Sequence, residues 1–126
     1  MRPMARILVI DDDDLLRSML VSVLRHAGHD VRETDNGSNA LRLVQADPVD
    51  LVITDIVMPD TDGIETIMQL RRALPELPII AMSGGATHSK LYLKVAEKLG
   101  ARRILGKPFM PADALRLADE VLQGRS

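Results

Sequence analysis

The chain has 126 residues, of which 46% are hydrophobic and 27% are charged, and its formal net charge is −2. This length suits one domain with a single core, and the composition is that of a folded protein rather than a disordered one. A nearly neutral charge argues against a general affinity for nucleic acid or for an anionic membrane surface. The chain has no cysteine, which excludes disulfides and thiolate metal sites and suits a reducing cytosol.

No segment is predicted to cross a membrane or to direct secretion. The apolar run near the amino terminus, residues 7–10, is followed by four aspartates. A secretory segment needs roughly 7–15 apolar residues and a membrane span about 20. We therefore expect a cytoplasmic protein in which residues 1–126 form one domain without an effector domain. Scarce aromatic residues, one Phe and one Tyr, also weigh against binding of single-stranded nucleic acid, whose bases usually stack on exposed aromatic side chains.

Five short segments are predicted to be strands. Residues 7–10, 51–53 and 78–81 are nearly continuous apolar runs, as expected of strands buried on both faces of a parallel sheet. Residues 31–34 are half polar and indicate an edge strand. Residues 103–105 give a weaker signal, but their place in the alternating order favours a fifth strand.

A helical pattern follows each strand. In the first, apolar residues recur at helical spacing from Leu16 to Ala27, and Gly28 ends the pattern. The second predicted helix begins at Gly37 and ends before Pro48, and the third carries apolar residues from Ile64 to Leu74. The fourth carries Leu91, Val95 and Leu99. The fifth begins near Pro111 and reaches Leu122. The alternation implies a parallel sheet with helices on both faces. We predict an α/β fold, a (βα)5 doubly wound sandwich with a flavodoxin-like five-stranded sheet of order 2-1-3-4-5.

Polar side chains are concentrated at the predicted strand ends. Asp11 and Asp12 follow the first strand, Asp55 follows the third after one Thr, Ser83 follows the fourth and Lys107 the fifth. Since ligands of open α/β sheets bind beyond the carboxyl ends of the strands, we expect these side chains to converge.

Three carboxylates in one small volume repel one another when ionised, and a divalent cation would relieve the repulsion. An oxygen-only ligand set that leaves room for water suits Mg²⁺ better than Zn²⁺ or Ca²⁺. The point charge of Lys107 would reach the same volume from the other side. A nucleophilic carboxylate, acids for a metal, a cation and a hydroxyl together match the needs of phosphoryl transfer.

Each feature has a plainer interpretation. Four aspartates in a row are often a solvated helix start, Asp55 could be a loop acid, Ser83 could belong to a turn, and a Lys before Pro is usually on the surface. Their shared position at one edge of the sheet favours a site. The three histidines, His26, His29 and His88, are expected apart from one another, at exposed positions on or beside helices rather than as ligands.

Five stretches together resemble the receiver domain of two-component response regulators, including chemotaxis regulators. They are residues 7–13, 51–59, 62–63, 82–84 and 107–109. The resemblance covers essentially the whole chain, and five motifs in the right order are a strong signal where any one would be weak.

The resemblance implies that Asp55 is the phosphoacceptor and that Asp11 and Asp12 are the acidic pair that holds Mg²⁺, with Asp12 the preferred direct ligand. The backbone carbonyl of Val57 would complete the protein's share of the metal shell, beside Asp55.

The resemblance also implies that the Ser83 hydroxyl and the Lys107 ammonium contact the phosphoryl group, and that the Lys107–Pro108 bond is cis. One departure is Ile104, which stands where many relatives carry an aromatic switch residue. It is interpreted as an ordinary strand residue, and the aromatic form of the output switch is therefore in doubt.

The implied function is to accept a phosphoryl group on Asp55 from a phosphohistidine or a small acyl phosphate in a Mg²⁺-dependent reaction. The domain would catalyse only its own phosphorylation and dephosphorylation. Its partners would be a histidine kinase or histidine phosphotransfer protein and a downstream protein target, bound through the fourth helix, fifth strand and fifth helix. We expect a monomer or a weak, phosphorylation-dependent dimer.

Two other functions fit the sequence less well. A pseudo-receiver would signal without phosphorylation, but it would be expected to lack Asp55, an acidic-pair residue or Lys107, and all are present. A phosphohydrolase acting through an aspartyl-phosphate would usually show Asp-x-Asp at a strand end and a cap insertion, for which this short chain has no room.

Overall fold

A computed structural model describes residues 4–56, 63–83, 94 and 97–124. Its five strands are all parallel and lie in the order β2-β1-β3-β4-β5, which confirms the predicted fold class. The strands are β1 Arg6–Ile10, β2 Asp30–Thr34, β3 Leu51–Asp55, β4 Ile79–Ser83 and β5 Arg103–Gly106. The helices are α1 Asp14–His26, α2 Ala40–Ala46, α3 Gly63–Ala73 and a C-terminal helix, Pro111–Leu122, and a 3₁₀ turn at Gly37–Asn39 precedes α2.

The predicted fourth helix lies largely outside the described residues. Lys94 and residues 97–99 are helical, whereas Leu91 and Val95 are not described. The sheet edges agree with the sequence: β2, the half-polar strand, lies at one edge and β5 at the other.

Each face of the sheet is covered by its own hydrophobic core. In β1, Ile7 and Val9 pack with α1 and the C-terminal helix, while Leu8 and Ile10 pack with α2 and α3. Successive side chains of a strand point to opposite faces, so a strand covered on both sides must be apolar at every position. This double burial explains the continuous apolar runs of the sequence.

The start of α1 is fixed by the aspartates that follow β1. The Asp13 carboxylate caps the helix by accepting a hydrogen bond from the Leu16 N–H at 3.1 Å. Asp14 lies in the first turn, where the helix dipole favours a negative charge. At the other end Gly28 has a φ of 102°, a left-handed conformation that glycine adopts without strain. The aspartates that follow β1 therefore lead directly into a capped helix.

Two strands run further than their apolar pattern indicated. Asp55 is the last residue of β3 and Ser83 the last of β4, rather than residues that follow those strands. The ladder continues past the polar side chains, and the Ile56 N–H still donates to the Met82 carbonyl at 3.0 Å. Backbone pairing does not depend on the polarity of the side chain, so the change from apolar to polar residues marked the wrong boundary.

The expectation of exposed histidines is wrong for His29, while His26 is exposed as expected and His88 is not described. His29 is buried in the turn between α1 and β2, where its Nδ1 accepts a hydrogen bond from the Ala5 N–H at 3.3 Å. Its Nε2 lies 3.5 Å from Asp119 Oδ1 on the C-terminal helix, too far for a good hydrogen bond. His29 directly precedes β2, so it lies at the amino ends of the strands, whereas the aspartates lie at their carboxyl ends.

Candidate functional site

Three carboxylates meet at the carboxyl ends of β1 and β3. These strands are neighbours, and Ile10 pairs with Thr54, so the residues that come next, Asp11 and Asp55, lie side by side. One carboxylate oxygen each from Asp11, Asp12 and Asp55 lie within 4.8 Å of one another. The structure therefore brings together the three acids that the sequence placed at separate strand ends.

The acids differ in exposure, and a lysine joins the two buried ones. Asp11 is 0% exposed and Asp55 5%, whereas Asp12 is exposed. From the end of β5, Lys107 Nζ donates to Asp11 Oδ2 at 3.0 Å and to Asp55 Oδ2 at 3.1 Å. Burial of the ammonium disfavours its charged form, but its bonds to the two carboxylates outweigh this and raise the pKa of Lys107. The lysine is thus charged at neutral pH.

Asp11 is held at four atoms. Its N–H donates to the Thr34 carbonyl at 3.2 Å, and its Oδ1 accepts from the Asp13 N–H at 2.9 Å. Its Oδ2 is bound by Lys107, and its backbone carbonyl accepts from Arg17 Nη1 at 2.6 Å. A fully buried carboxylate requires such partners, because an unpaired buried charge is strongly destabilising.

The run of four aspartates divides into separate roles. Asp13 caps α1, and Asp14 forms an ion pair with Arg17 at 2.7 Å, so the plainer interpretation of a helix start is correct for these two. The carboxylate of Asp12 forms no hydrogen bond or ion pair with another described residue. It is the exposed acid of the cluster and the one open to a ligand.

A glycine lets α3 begin against the end of β3. The Gly63 N–H donates to the Ile56 carbonyl at 3.1 Å. A Cβ at residue 63 would lie 2.3 Å from the Asp55 carbonyl oxygen and 2.3 Å from Ile56 Cα, closer than real Cβ contacts. The sequence gives no sign of this steric role of Gly63, although the Asp62-Gly63 pair is one of the five stretches that resemble the receiver domain.

Two predicted site residues lie wholly or partly outside the described part of the chain. Val57 lies outside the described residues, and of Ser83 only the backbone is described, paired with Gly106. The Lys107–Pro108 peptide bond is cis, as the resemblance implied. Ile104 lies in β5, partly buried against the core on the α2 and α3 side.

Replacing Lys107 tests whether its ammonium stabilises the two buried carboxylates, those of Asp11 and Asp55. In the absence of divalent cations, we expect Lys107→Met to lower the free energy of unfolding by about 3–5 kcal/mol, the usual cost of removing one partner from a buried ion pair. Chemical denaturation in EDTA measures the loss. Adding Asp11→Asn should restore part of the stability, because one uncompensated charge is then removed. Equal free energies of unfolding for wild type and Lys107→Met would show that the ammonium does not stabilise the two buried carboxylates.

Fold and site together define a class of protein. The protein is an open, doubly wound α/β domain. At the carboxyl ends of its strands lie three acids that could hold a metal ion, and a lysine that forms ion pairs with two of these acids. Within the described part of the chain, no helix is both long and apolar enough to span a bilayer.

Comparison with known proteins agrees with that class. The model of the response regulator receiver domain family matches residues 7–119. The chain is 42% identical over 105 residues to the DNA-binding transcriptional regulator NtrC of Rhizobium meliloti, covering 83% of this chain and 21% of that protein. It is 35% identical over 119 residues to the response regulator receiver protein CpdR of Brucella abortus, covering 94% of this chain and 98% of CpdR. The structure of the chemotaxis response regulator CheY4 of Vibrio cholerae has a TM-score of 0.84 at 30% identity, covering 94% of this chain and 99% of CheY4.

The chain belongs to the response regulator receiver domain family. Its relatives are two-component response regulators, and the family is one of signalling domains rather than of classical enzymes. The chain spans about a fifth of the length of the NtrC relative, so what that whole protein does is not carried over to it.

Proposed function

We propose that Asp55 is the residue on which this receiver domain accepts a phosphoryl group. The observation that carries the proposal is the bond from Lys107 Nζ to Asp55 Oδ2, 3.1 Å long, beside the carboxylates of Asp11 and Asp12. Asp55 thus ends a central strand, next to two acids and a cation that would neutralise charge on a transferred group.

Asp11, Asp12 and Asp55 are proposed to hold Mg²⁺, with the backbone carbonyl of Val57 completing the protein's share of the ligands. The donor set fits this ion: the grouped atoms are all carboxylate oxygens, and three negative charges face the single positive charge of Lys107. Hard oxygen donors and a partly exposed ligand, Asp12, suit a cation that keeps several waters. When bound, the ion would neutralise charge on the phosphoryl group.

In the proposed reaction an oxygen of the Asp55 carboxylate attacks the phosphorus atom of a phosphohistidine or a small acyl phosphate. A new P–O bond forms, and the bond from phosphorus to the donor's nitrogen or oxygen breaks, with the electron pair leaving on the donor. Lys107 then exchanges part of its contact with Asp55 for a phosphoryl oxygen, and the Ser83 hydroxyl donates to another. The domain would catalyse this transfer, and the later hydrolysis, only on itself.

Phosphorylation converts a carboxylate with one negative charge into an acyl phosphate with about two, and adds new acceptor oxygens at the carboxyl ends of the strands. Lys107 lies directly after β5, an edge strand, so a change in its contacts would act next to the outer surface of the domain. We propose that the surface of the fourth predicted helix, β5 and the C-terminal helix then changes its affinity for a downstream protein target. The phosphoryl donor would be a histidine kinase or a histidine phosphotransfer protein.

The remaining parts of the proposal concern organisation. Residues 1–126 are proposed to act as one cytoplasmic receiver domain, either monomeric or as a weak dimer that forms on phosphorylation.

Labelling by acetyl phosphate tests the function directly. We expect the protein to gain one phosphoryl group in the presence of Mg²⁺ and none in EDTA, measured by intact mass. The adduct should be released by hydroxylamine, because an acyl phosphate reacts with it and a phosphoserine does not. Labelling in EDTA, or a hydroxylamine-resistant adduct, would contradict an Mg²⁺-dependent aspartyl phosphate.

A further inference from the structure

The guanidinium of Arg17 joins three elements beside the acid cluster. Its Nη1 donates to the Asp11 carbonyl at 2.6 Å, its Nη2 to Asp14 Oδ1 at 2.7 Å and its Nε to Glu33 Oε1 at 3.0 Å. One side chain of α1 therefore holds the turn after β1, the first turn of its own helix and the edge strand β2. The Arg17 side chain is 15% exposed; its bond to the Asp11 carbonyl is partly buried, whereas its bonds to Asp14 and Glu33 are exposed.

The bond to Asp11 matters because of the peptide group that it fixes. The Asp11 carbonyl and the Asp12 N–H belong to one planar unit, so holding the oxygen sets the direction in which residue 12 leaves the strand. Asp12 is exposed, and its carboxylate is bound by no other described side chain. The backbone, which Arg17 holds, therefore sets the direction in which the Asp12 side chain leaves the chain.

We propose that Arg17 is a positioning residue that presets the Asp11–Asp12 peptide, and with it the acid cluster, for binding a divalent cation. This inference rests on the proposed function of the cluster. Arginine suits the role because its planar fork presents several donors in fixed directions, which lysine cannot reproduce. Asp14 and Glu33 in turn orient the fork, and their carboxylates offset its charge.

Two roles for Arg17 predict opposite results. If Arg17 acted only through its charge, removing it would leave Asp14 and Glu33 uncompensated and would tighten the binding of Mg²⁺. If Arg17 positions the Asp11–Asp12 peptide, removing it weakens binding despite the more negative surroundings. Loss of groups that orient metal ligands typically costs about 10–100-fold in affinity.

The experiment compares Arg17→Met, Arg17→Lys and Arg25→Met with wild type. Arg25 is a matched control, because it also lies on α1 and donates from its Nη2 to a β2 carbonyl, that of Val31, at 2.7 Å, but at the other end of the helix. Mg²⁺ affinity is measured by calorimetry, and hydrogen exchange of the Asp13 amide is measured without metal. That amide donates to Asp11 Oδ1 and reports the geometry of the turn.

We expect about tenfold weaker Mg²⁺ binding and faster Asp13 exchange in both Arg17 variants, with Arg25→Met unchanged in both measurements. Labelling by acetyl phosphate should fall mainly at low Mg²⁺ and approach the wild-type rate at saturation. Equal or tighter Mg²⁺ binding in a folded Arg17 variant would overturn the inference, as would equal weakening by Arg25→Met. If Arg17→Met does not fold, the milder Arg17→Lys decides. Absence of Mg²⁺ binding by wild type would instead refute the proposed function.

Discussion

Replacing Asp55 with Asn is expected to abolish phosphorylation by acetyl phosphate, with incorporation falling more than about 100-fold. The amide has nearly the size of the carboxylate but cannot act as the nucleophile. Because the amide is uncharged, it also reduces the electrostatic repulsion among the side chains of residues 11, 12 and 55, so the variant should remain folded. Intact mass after incubation with Mg²⁺ and acetyl phosphate measures the effect.

Asp50→Asn is the matched control for this experiment. Asp50 directly precedes the same strand, at the end opposite to Asp55, and its Oδ2 accepts a hydrogen bond from the Arg6 N–H at 2.8 Å. An amide oxygen can accept the same bond, so we expect normal labelling. Incorporation in Asp55→Asn at the wild-type level would show that another residue accepts the phosphoryl group.

Replacing Gly63 with Ala is expected to lower the free energy of unfolding by about 1–3 kcal/mol, the usual cost of adding volume to a packed site. The added Cβ would lie 2.3 Å from the Asp55 carbonyl oxygen, so α3 or the end of β3 must shift. Since that end carries the proposed phosphoacceptor, the labelling rate should fall as well. Urea unfolding and initial labelling rates measure the two effects separately.

Gly106→Ala provides the control for the steric argument. A Cβ at residue 106, the last residue of β5, would meet nothing within 4 Å, so the same chemical change should leave stability close to that of wild type. If Gly63→Ala were as stable as Gly106→Ala, and as readily labelled as wild type, the close approach of α3 to β3 would not be needed to hold Asp55.

Much of the candidate site followed from local sequence patterns. Apolar runs alternating with helical stripes require a parallel sheet covered on both faces, and the chain direction then places Asp11, Asp55 and Lys107 at one edge. Strand bounds were less reliable, because burial of Thr54 and Asp55 allows the ladder to continue through polar residues.

The sequence by itself determined the layers and the end of the sheet at which the acids converge, because these depend on periodicity and chain direction, while the handedness of crossovers limited the strand order to a few possibilities. Only the tertiary structure decided that Arg17 holds the Asp11 carbonyl, that Gly63 touches the end of β3 and that His29 is buried. Each of these depends on the approach of atoms from different elements to within a few ångströms. Such distances depend on how complete helices and strands pack, so they cannot be predicted from local patterns of residues.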